Sequence, residues 1–293
     1  MELSCFVCII AEARREEALT TPEEIRDAWD KIAAGYDEFV TPSGGMAIAE
    51  DALRRVGLRP DMRLLDVAAG SGALSIPAAR LGAQVLAVDL SPAMIERLNA
   101  RVRKEGLSNL EGRVMDGHAL ELEENTFDIS ASQFGVMLFP DLPRGLSELA
   151  RVTKPGGRVL LVVYGPPQQV EFLGFFMGAI QAAVPGFTGL PMDPVPLPFQ
   201  VADPEKLRQE LANAGLKDIR VETGTENLEF QSGKHMWDWV TNSNPIGAGL
   251  VADLTEEQRA AAQQALDGML RQRSGGSGPA VLTSPVHIGI GAK

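Results

Sequence analysis

The sequence predicts an α/β protein built on a doubly wound, mostly parallel sheet of seven strands with helical lid insertions. Three observations carry that prediction. Five short apolar runs alternate with helical patterns between residues 63 and 164, the first run ends in a turn of small residues, and the second ends in a carboxylate. Ahead of the sheet, Thr21-Pro22-Glu23-Glu24 opens a helix over 21–34 that lines Ile25, Trp29, Ile32 and Ala33 along one face. A second helix is expected over 45–56, stopped by Gly57 and Pro60. Strands are expected at 63–68, 84–89, 110–116 and 127–132, and helices at 72–81, 91–105 and 141–152. Ser91-Pro92 is an N-cap followed by proline in the first turn, and Lys154-Pro155-Gly156-Gly157 reads as a helix stop and turn before a fifth strand at 158–164. Crossovers of helix length require parallel, right-handed connections.

The pattern changes after Gly165. An apolar helical stretch with Phe172, Phe175, Phe176 and Met177 leads into a loop carrying Pro185, Pro191, Pro194, Pro196 and Pro198. A helix capped by Asp203-Pro204-Glu205 runs to Gly215, followed by a strand at 217–222. A long helical excursion with Trp237, Trp239 and a helix at 255–271 then precedes a last strand at 286–291. Within the excursion, Glu226 to Gly233 resembles a protease tag site but carries Glu229 where such tags have Tyr. Its internal position marks it as native sequence.

With 293 residues and 45% hydrophobic content, the chain suffices for one large core with insertions. Its 39 acidic and 27 basic side chains give a formal net charge of -12, which repels phosphate backbones and anionic lipid, so nucleic acid is not an expected partner. The densest basic cluster, Arg101, Arg103 and Lys104, sits beside Glu96 and Glu105 and reads as a solvated helix face. Cys5 and Cys8 have the spacing of a redox or half-zinc site but lack a second pair or nearby histidines, since His118, His235 and His287 are far apart. They read as small hydrophobes. The apolar run from Leu3 to Ala11 has Glu2 where a leader peptide carries positive charge, and no stretch reaches the about 18 apolar residues of a membrane span, so a cytoplasmic protein with no membrane anchor is expected.

The residues that point to chemistry lie at the strand ends. In Asp66-Val67-Ala68-Ala69-Gly70-Ser71-Gly72 an apolar strand passes through small residues straight into a helix, and Gly70 and Gly72 allow backbone N–H groups to approach a nucleoside or its amino-acid tail. Asp89, at the tip of the next strand, suits both hydroxyls of a ribose. A dinucleotide and an S-adenosyl cofactor share that geometry, and a helix N-terminal charge beside Ser91 is a plainer explanation of the same residue.

The ordered set Asp66-Val-Ala-Ala-Gly-Ser-Gly, Val-Asp89-Leu-Ser-Pro-Ala-Met, Asp116-Gly-His-Ala-Leu, Phe127-Asp-Ile and Lys154-Pro-Gly-Gly-Arg resembles the class I S-adenosylmethionine-dependent methyltransferases of the ubiquinone/menaquinone-biosynthesis type, over roughly residues 25 to 165. The resemblance implies a Rossmann-like seven-stranded sheet with an antiparallel last strand, an N-terminal helical cap at 1–60, and a catalytic domain at 61–293 with lid insertions at about 165–202 and 224–280. It implies S-adenosylmethionine as cofactor and S-adenosylhomocysteine as product. Gly70 and Gly72 would lie under the methionine part, with Asp66 fixing that turn or the ammonium group, and Asp89 would hold the ribose. Leu90 and Met94 would pack on the adenine, Asp116 with Gly117 and His118 would hold its exocyclic amine, and Ser132, Gln133 and Phe134 would sit near the sulfur. Tyr36 resembles a lid tyrosine. His118 and Tyr36 are the candidates for a catalytic role, although Leu90 and Met94 also fit plain core, His118 a polar helix start, and Trp29, Trp237 and Trp239 core cover.

The competing reading is an NAD(P)-dependent oxidoreductase. Against it, a dinucleotide fingerprint starting at Gly70 would place Ser75 at its third glycine, and Asp66 puts a charge where such strands are apolar. The chain also departs from the Asn-Pro-Pro-Tyr signature of amide and nucleobase N-methyltransferases, reading Ser132-Gln133-Phe134-Gly135, and has no carboxylate trio for a metal. The expected chemistry is therefore direct SN2 transfer governed mainly by alignment of nucleophile, methyl and sulfur. Aromatic residues in both insertions suggest a small, partly apolar or aromatic methyl acceptor, and a homodimer is compatible with the sequence.

Overall fold

The computed structural model describes residues 21–189, 195–276 and 278–293. Cys5, Cys8, Pro191 and Pro194 lie outside the described residues. Seven strands, β1 (Arg63–Val67), β2 (Gln84–Asp89), β3 (Leu110–Val114), β4 (Phe127–Gln133), β5 (Thr153–Tyr164), β6 (Lys217–Phe230) and β7 (Ala280–Ala292), form one sheet in the order β3-β2-β1-β4-β5-β7-β6. Strands β1 to β5 pair in parallel, and β7, the last in sequence, runs antiparallel to both β5 and β6. The strand order reverses between β1 and β4, so the crevice beyond their carboxyl ends is where such a sheet binds ligands.

Alternation along β5 shows how the sheet fills both faces. Leu160 and Val162 join a cluster with Ile48, Leu53 and Leu98 from helices α2 (Met46–Val56) and α4 (Pro92–Glu105). Val159, Leu161 and Val163 join the opposite cluster with Leu146 and Leu149 of α5 (Leu142–Val152) and Leu207 and Leu211 of α7 (Pro204–Asn213). The expected caps hold: Thr21 closes a capping box on α1 (Pro22–Gly35), and Ser91 Oγ accepts from the Met94 N–H at 3.1 Å to start α4. Asp30 of α1 accepts from Ser91 Oγ and from the Ala93 N–H at 3.1 Å, which docks the N-terminal helix on the start of α4.

Four boundaries differ from the sequence expectation. The helix expected at 72–81 is shorter, α3 (Ser75–Arg80), because residues up to Leu74 are spent in the turn after β1. A ten-residue π-helical segment, Tyr36–Gly45, links α1 to α2 where no element was expected. The Lys154–Gly157 turn is absorbed into β5 as a bulge: Thr153 pairs with Phe127 and Arg158 with Ile129, and Gly156 takes φ +79°. Strands β6 and β7 are more than twice as long as expected, pairing from Lys217 opposite Ala292 to Phe230 opposite Ala280. Since β5 ends at Tyr164 opposite Val286, the far ends of β6 and β7 project past the carboxyl edge of the sheet. The region expected to be helical from 224 therefore begins as strand, and its helices, α8 (Gly233–Ser243), α9 (Pro245–Leu250) and α10 (Glu256–Arg273), follow it.

That projection carries its own core. Leu228, Phe230 and Leu282 pack with Trp237 and Trp239 of α8, Leu266 and Leu270 of α10, and Phe172, Phe176 and Ile180 of α6 (Glu171–Ala183). Among the described residues no helix is long and apolar enough to cross a membrane. Phe176 is fully buried at the centre of this third cluster. Phe176→Ala is expected to lower the unfolding free energy by about 3–5 kcal/mol, the range for an aromatic-to-alanine cavity, in a urea titration followed by tryptophan fluorescence.

Candidate cofactor and acceptor site

The turn after β1 is shaped by backbone conformations that most residues avoid. Ala68, Gly70 and Gly72 adopt φ of +56°, +55° and +101°. Ala68 is the strained member, since a left-handed alanine is unfavourable without support from its surroundings. At the tip of β4, Phe134 also has φ +56°. A Cβ on the following Gly135 would lie 2.5 Å from the Ala68 Cβ, so the two strand tips approach more closely than a side chain would allow. Ser132 locks this contact, its hydroxyl donating to the Val67 carbonyl at 2.7 Å and accepting from the Val136 N–H at 2.9 Å. The Ser132 hydroxyl is thus fully engaged in the scaffold.

Two carboxylates flank the turn. Asp89 accepts from the Gly70 N–H at 2.8 Å and from the Ser91 N–H at 2.9 Å, so it holds the turn and the start of α4 together. Burial raises its pKa to about 6 against the lowering effect of those N–H groups. Asp66 is 1% exposed; Oδ2 accepts from Ser75 Oγ at 2.5 Å, and Oδ1 is buried with no partner. Burial pushes its carboxyl up to about 7, with the Ser75 hydrogen bond opposing and the Asp89 charge adding.

On the next strand tips, Asp116 Oδ1 accepts from the His118 N–H at 2.8 Å and pairs with His118 Nδ1 at 2.9 Å. Asp116, two residues away in the chain, is thus the carboxylate partner of His118. Because a carboxylate only accepts, Nδ1 carries the proton, and Nε2 is buried without a partner while the ring lies 4.3 Å from that of Phe139. Gly117 is required there, as a Cβ would stand 2.5 Å from Phe139 Cζ and 2.8 Å from Val67 Cγ1. Leu90 is half-buried, whereas Met94, 1% exposed, is a core side chain.

A cavity of about 70 Å³ opens beyond β1 and β4, with Trp29, Tyr36, Asp66, Gln133, Tyr164, Glu226 and Trp239 among its walls. Asp89, Asp116 and His118 lie outside this lining, so the structure separates the cofactor candidates into a chamber and an outer flank. The Tyr36 ring covers the turn, since a Cβ on Gly70 would meet Tyr36 Cε1 at 3.3 Å. It also meets Trp29 edge-on at 6.0 Å, and burial with the charges of Asp89 and Asp66 raises its phenol pKa. Gln133 Nε2 donates to the Gly45 carbonyl at 2.9 Å, leaving Oε1 buried and unpartnered. Phe134 stacks on Tyr164 at 4.5 Å.

Glu226 and Tyr164 went unnoticed as functional residues in the sequence. Glu226 is 2% exposed on β6, Tyr164 hydrogen-bonds it, and Oε2 is buried without a partner. Burial raises its pKa to about 7. The available signal was the alternation Glu226, Leu228, Phe230, which puts an acid on the apolar face of a strand.

A doubly wound sheet with a left-handed glycine turn at its switch point and a carboxylate at the next strand tip defines a nucleoside-cofactor protein of the α/β class. Comparison with known proteins narrows this. The methyltransferase domain family matches residues 65–161, which run from β1 into β5. Demethylmenaquinone methyltransferase from Streptomyces avermitilis is 32% identical over 167 residues, covering 56% of this chain and 70% of that protein. The uncharacterized protein Rv1405c of Mycobacterium tuberculosis is 36% identical over 147 residues, 50% of this chain and 52% of its own length. The chain spans about half the length of the mycobacterial relatives it matches. Among solved structures, Haemonchus contortus phosphoethanolamine N-methyltransferase 2 with S-adenosylhomocysteine aligns with TM-score 0.56 at 20% identity over 90% of this chain and 57% of that one. A putative methyltransferase from Bacillus halodurans aligns with TM-score 0.53 at 18% identity over 84% and 99%. Both show the same fold. The chain belongs to the class I S-adenosylmethionine-dependent methyltransferases of the ubiquinone/menaquinone type, and its cofactor is S-adenosylmethionine. This family assignment displaces the NAD(P) oxidoreductase reading.

The buried acids also make a stability prediction. Asp66, Asp89 and Glu226 have folded pKa values of about 7, 6 and 7, above their ordinary 3.8, 3.8 and 4.5. A raised carboxyl binds its proton more tightly in the folded state, so its contribution is full below the ordinary value and is lost as pH rises through the folded one. Asp66→Asn, permanently neutral, is expected to gain stability relative to the parent as pH rises from about 4 to about 7. Paired thermal melts across that window check it; a difference independent of pH would mean that Asp66 is not buried as described.

Proposed function

We propose that the protein transfers the methyl group of S-adenosylmethionine to a small, partly apolar or aromatic molecule by direct SN2 displacement. The observation that carries this reading is Asp66 Oδ1, a buried acceptor without a partner among the described residues, on a residue that lines an aromatic-walled cavity beside the glycine turn. An ammonium group is the donor such an oxygen lacks, and the cofactor's amino-acid tail has one.

The remaining site residues fit the same ligand. Gly70 and Gly72 present backbone under the tail. Asp89 has acceptor capacity beyond its two N–H partners, because a carboxylate offers about four lone-pair sites, and takes the ribose hydroxyls. Asp116, Gly117 and His118 form the adenine-amine pocket, with Leu90 and Met94 behind it and Ser132 and Gln133 toward the sulfur. The cofactor supplies an electrophilic methyl, so the protein's work is alignment and water exclusion. Tyr36 over Gly70 provides cover, and the helical cap and lid segments bound the acceptor side. With a net charge of -12 the favoured acceptor is a small molecule and not a nucleic acid.

Titration calorimetry of the full chain tests the cofactor site. S-adenosylhomocysteine should bind in the micromolar range and NADH should give no heat. Asp89→Ala should weaken S-adenosylhomocysteine about 10–100-fold, as expected for losing hydrogen bonds to a charged group. NADH binding in its place would overturn the methyl-transfer reading.

A further inference from the structure

We propose that Glu226 is the proton acceptor of the reaction and that the methyl acceptor is an uncharged aromatic compound attacking through a hydroxyl group. This inference rests on the methyl-transfer reading and assigns the chemistry of its acceptor side.

Glu226 lies on the stretch of β6 that projects past the carboxyl edge, directly opposite Ser284 of β7. Its neighbours on that face, Leu228 and Phe230, are buried in the lid core, so the carboxyl is held in apolar surroundings. Among the described residues Tyr164 is its only side-chain hydrogen-bond partner, and Oε2 has none. The hydroxyl of Ser284, 1% exposed, is also unpartnered, as is Gln133 Oε1 in the cavity wall. A buried carboxylate oxygen without a donor is costly, and its retention on a residue that lines a cavity points to a ligand that brings the donor.

The cavity defines that donor. Among the described residues its walls carry two acids, Asp66 and Glu226, and no Lys, Arg or His. With Asp66 taken by the cofactor's ammonium, an anionic acceptor would meet the Glu226 carboxylate with no protein cation beside it. An alkylamine would be held as its ammonium beside such an acid, and an ammonium nitrogen has no lone pair to attack with. A neutral hydroxyl keeps its lone pairs and can donate to Oε2. Phe134 stacked on Tyr164, with Trp29 and Trp239, supplies flat apolar walls for a ring. The site already contains the expected interaction in miniature, the Tyr164 phenol bonded to the Glu226 carboxyl.

The step balances. As the acceptor oxygen forms its bond to the methyl carbon, the carbon–sulfur bond breaks and its electron pair returns to sulfur, converting the sulfonium to a neutral thioether. The hydroxyl proton moves to Glu226 Oε2 and later to water. A carboxyl pushed up to about 7 by burial is a stronger base than an ordinary glutamate and still ionised in part at neutral pH.

The test uses the full chain with phenol and 1-naphthol, with 1-naphthoate and 1-(aminomethyl)naphthalene as the anionic and cationic variants, and S-adenosylhomocysteine binding measured alongside. The parent loaded with S-adenosylhomocysteine should bind 1-naphthol at least tenfold more tightly than 1-naphthoate, and with S-adenosylmethionine should yield the methyl ether. Glu226→Gln should lower kcat for that ether about 100-fold or more, the scale of general-base catalysis, and leave S-adenosylhomocysteine binding unchanged. Tyr164→Phe should lower it less. Turnover of Glu226→Gln within threefold of the parent, preference for naphthoate or the amine, or failure of every hydroxyl compound to bind would overturn the proposal. Failure of the parent to bind S-adenosylhomocysteine would instead sink the methyl-transfer reading beneath it.

Discussion

The Asp89 carboxylate is the joint on which the site is built. By accepting from Gly70 on one side and Ser91 on the other, it fixes the left-handed turn after β1 relative to the N-terminus of α4. The turn needs that support because Ala68 adopts a conformation that costs about 1–3 kcal/mol for a residue with a side chain. The second support is Ser132, which ties Val67 to the chain beyond β4. Between them the tips of the two central strands are held apart at the turn and together at Gly135, and the crevice is the consequence.

Three acids populate that crevice and its flank, and among the described residues no buried Lys or Arg accompanies them. Asp66, Asp89 and Glu226 each have a pKa raised mainly by burial, and the Asp66 value is raised further by the Asp89 charge. In an unliganded fold this is an unfavourable arrangement. It becomes favourable once a cation and hydrogen-bond donors enter, so the electrostatic complement of the site is a positively charged ligand with hydroxyl groups. S-adenosylmethionine carries a sulfonium, an ammonium and a ribose diol, and the family membership and the electrostatics point the same way.

How legible this was in the sequence varied with how local each signal is. The turn from Asp66 to Gly72 and the Asp89 tip stand within single strand–turn–helix units, so their geometry follows from consecutive residues. Strand cores were readable for the same reason, being apolar runs bracketed by Gly, Pro and Ser. The far half of β6 was not, because one of its faces is solvent-exposed and the other opens with an acid, which reads as loop. Glu226 and Tyr164 meet only because β7 lies between β5 and β6 in the sheet, a fact about strand order that no local pattern encodes. Ser132 sits where expected, but its hydroxyl is consumed by the scaffold, and Met94 is core; residue type and position alone do not separate support from contact.

The π-helical segment joins these parts mechanically. Thr41 shares a hydrogen bond with Ser71 in the cofactor turn, Gly45 accepts from Gln133 in the cavity wall, and Ser43 accepts from Trp239 Nε1 of the lid at 2.6 Å. Ten residues thus touch the turn, the chamber and the lid at once, and the Tyr36 that begins them lies over Gly70. π-helical turns are rare and are found frequently at functional sites, which fits a segment in this position. Its three hydrogen bonds, to Ser71, Gln133 and Trp239, therefore tie the position of the Gly70 turn to that of the chamber wall and of the lid core, which sequence-distant elements would not otherwise share.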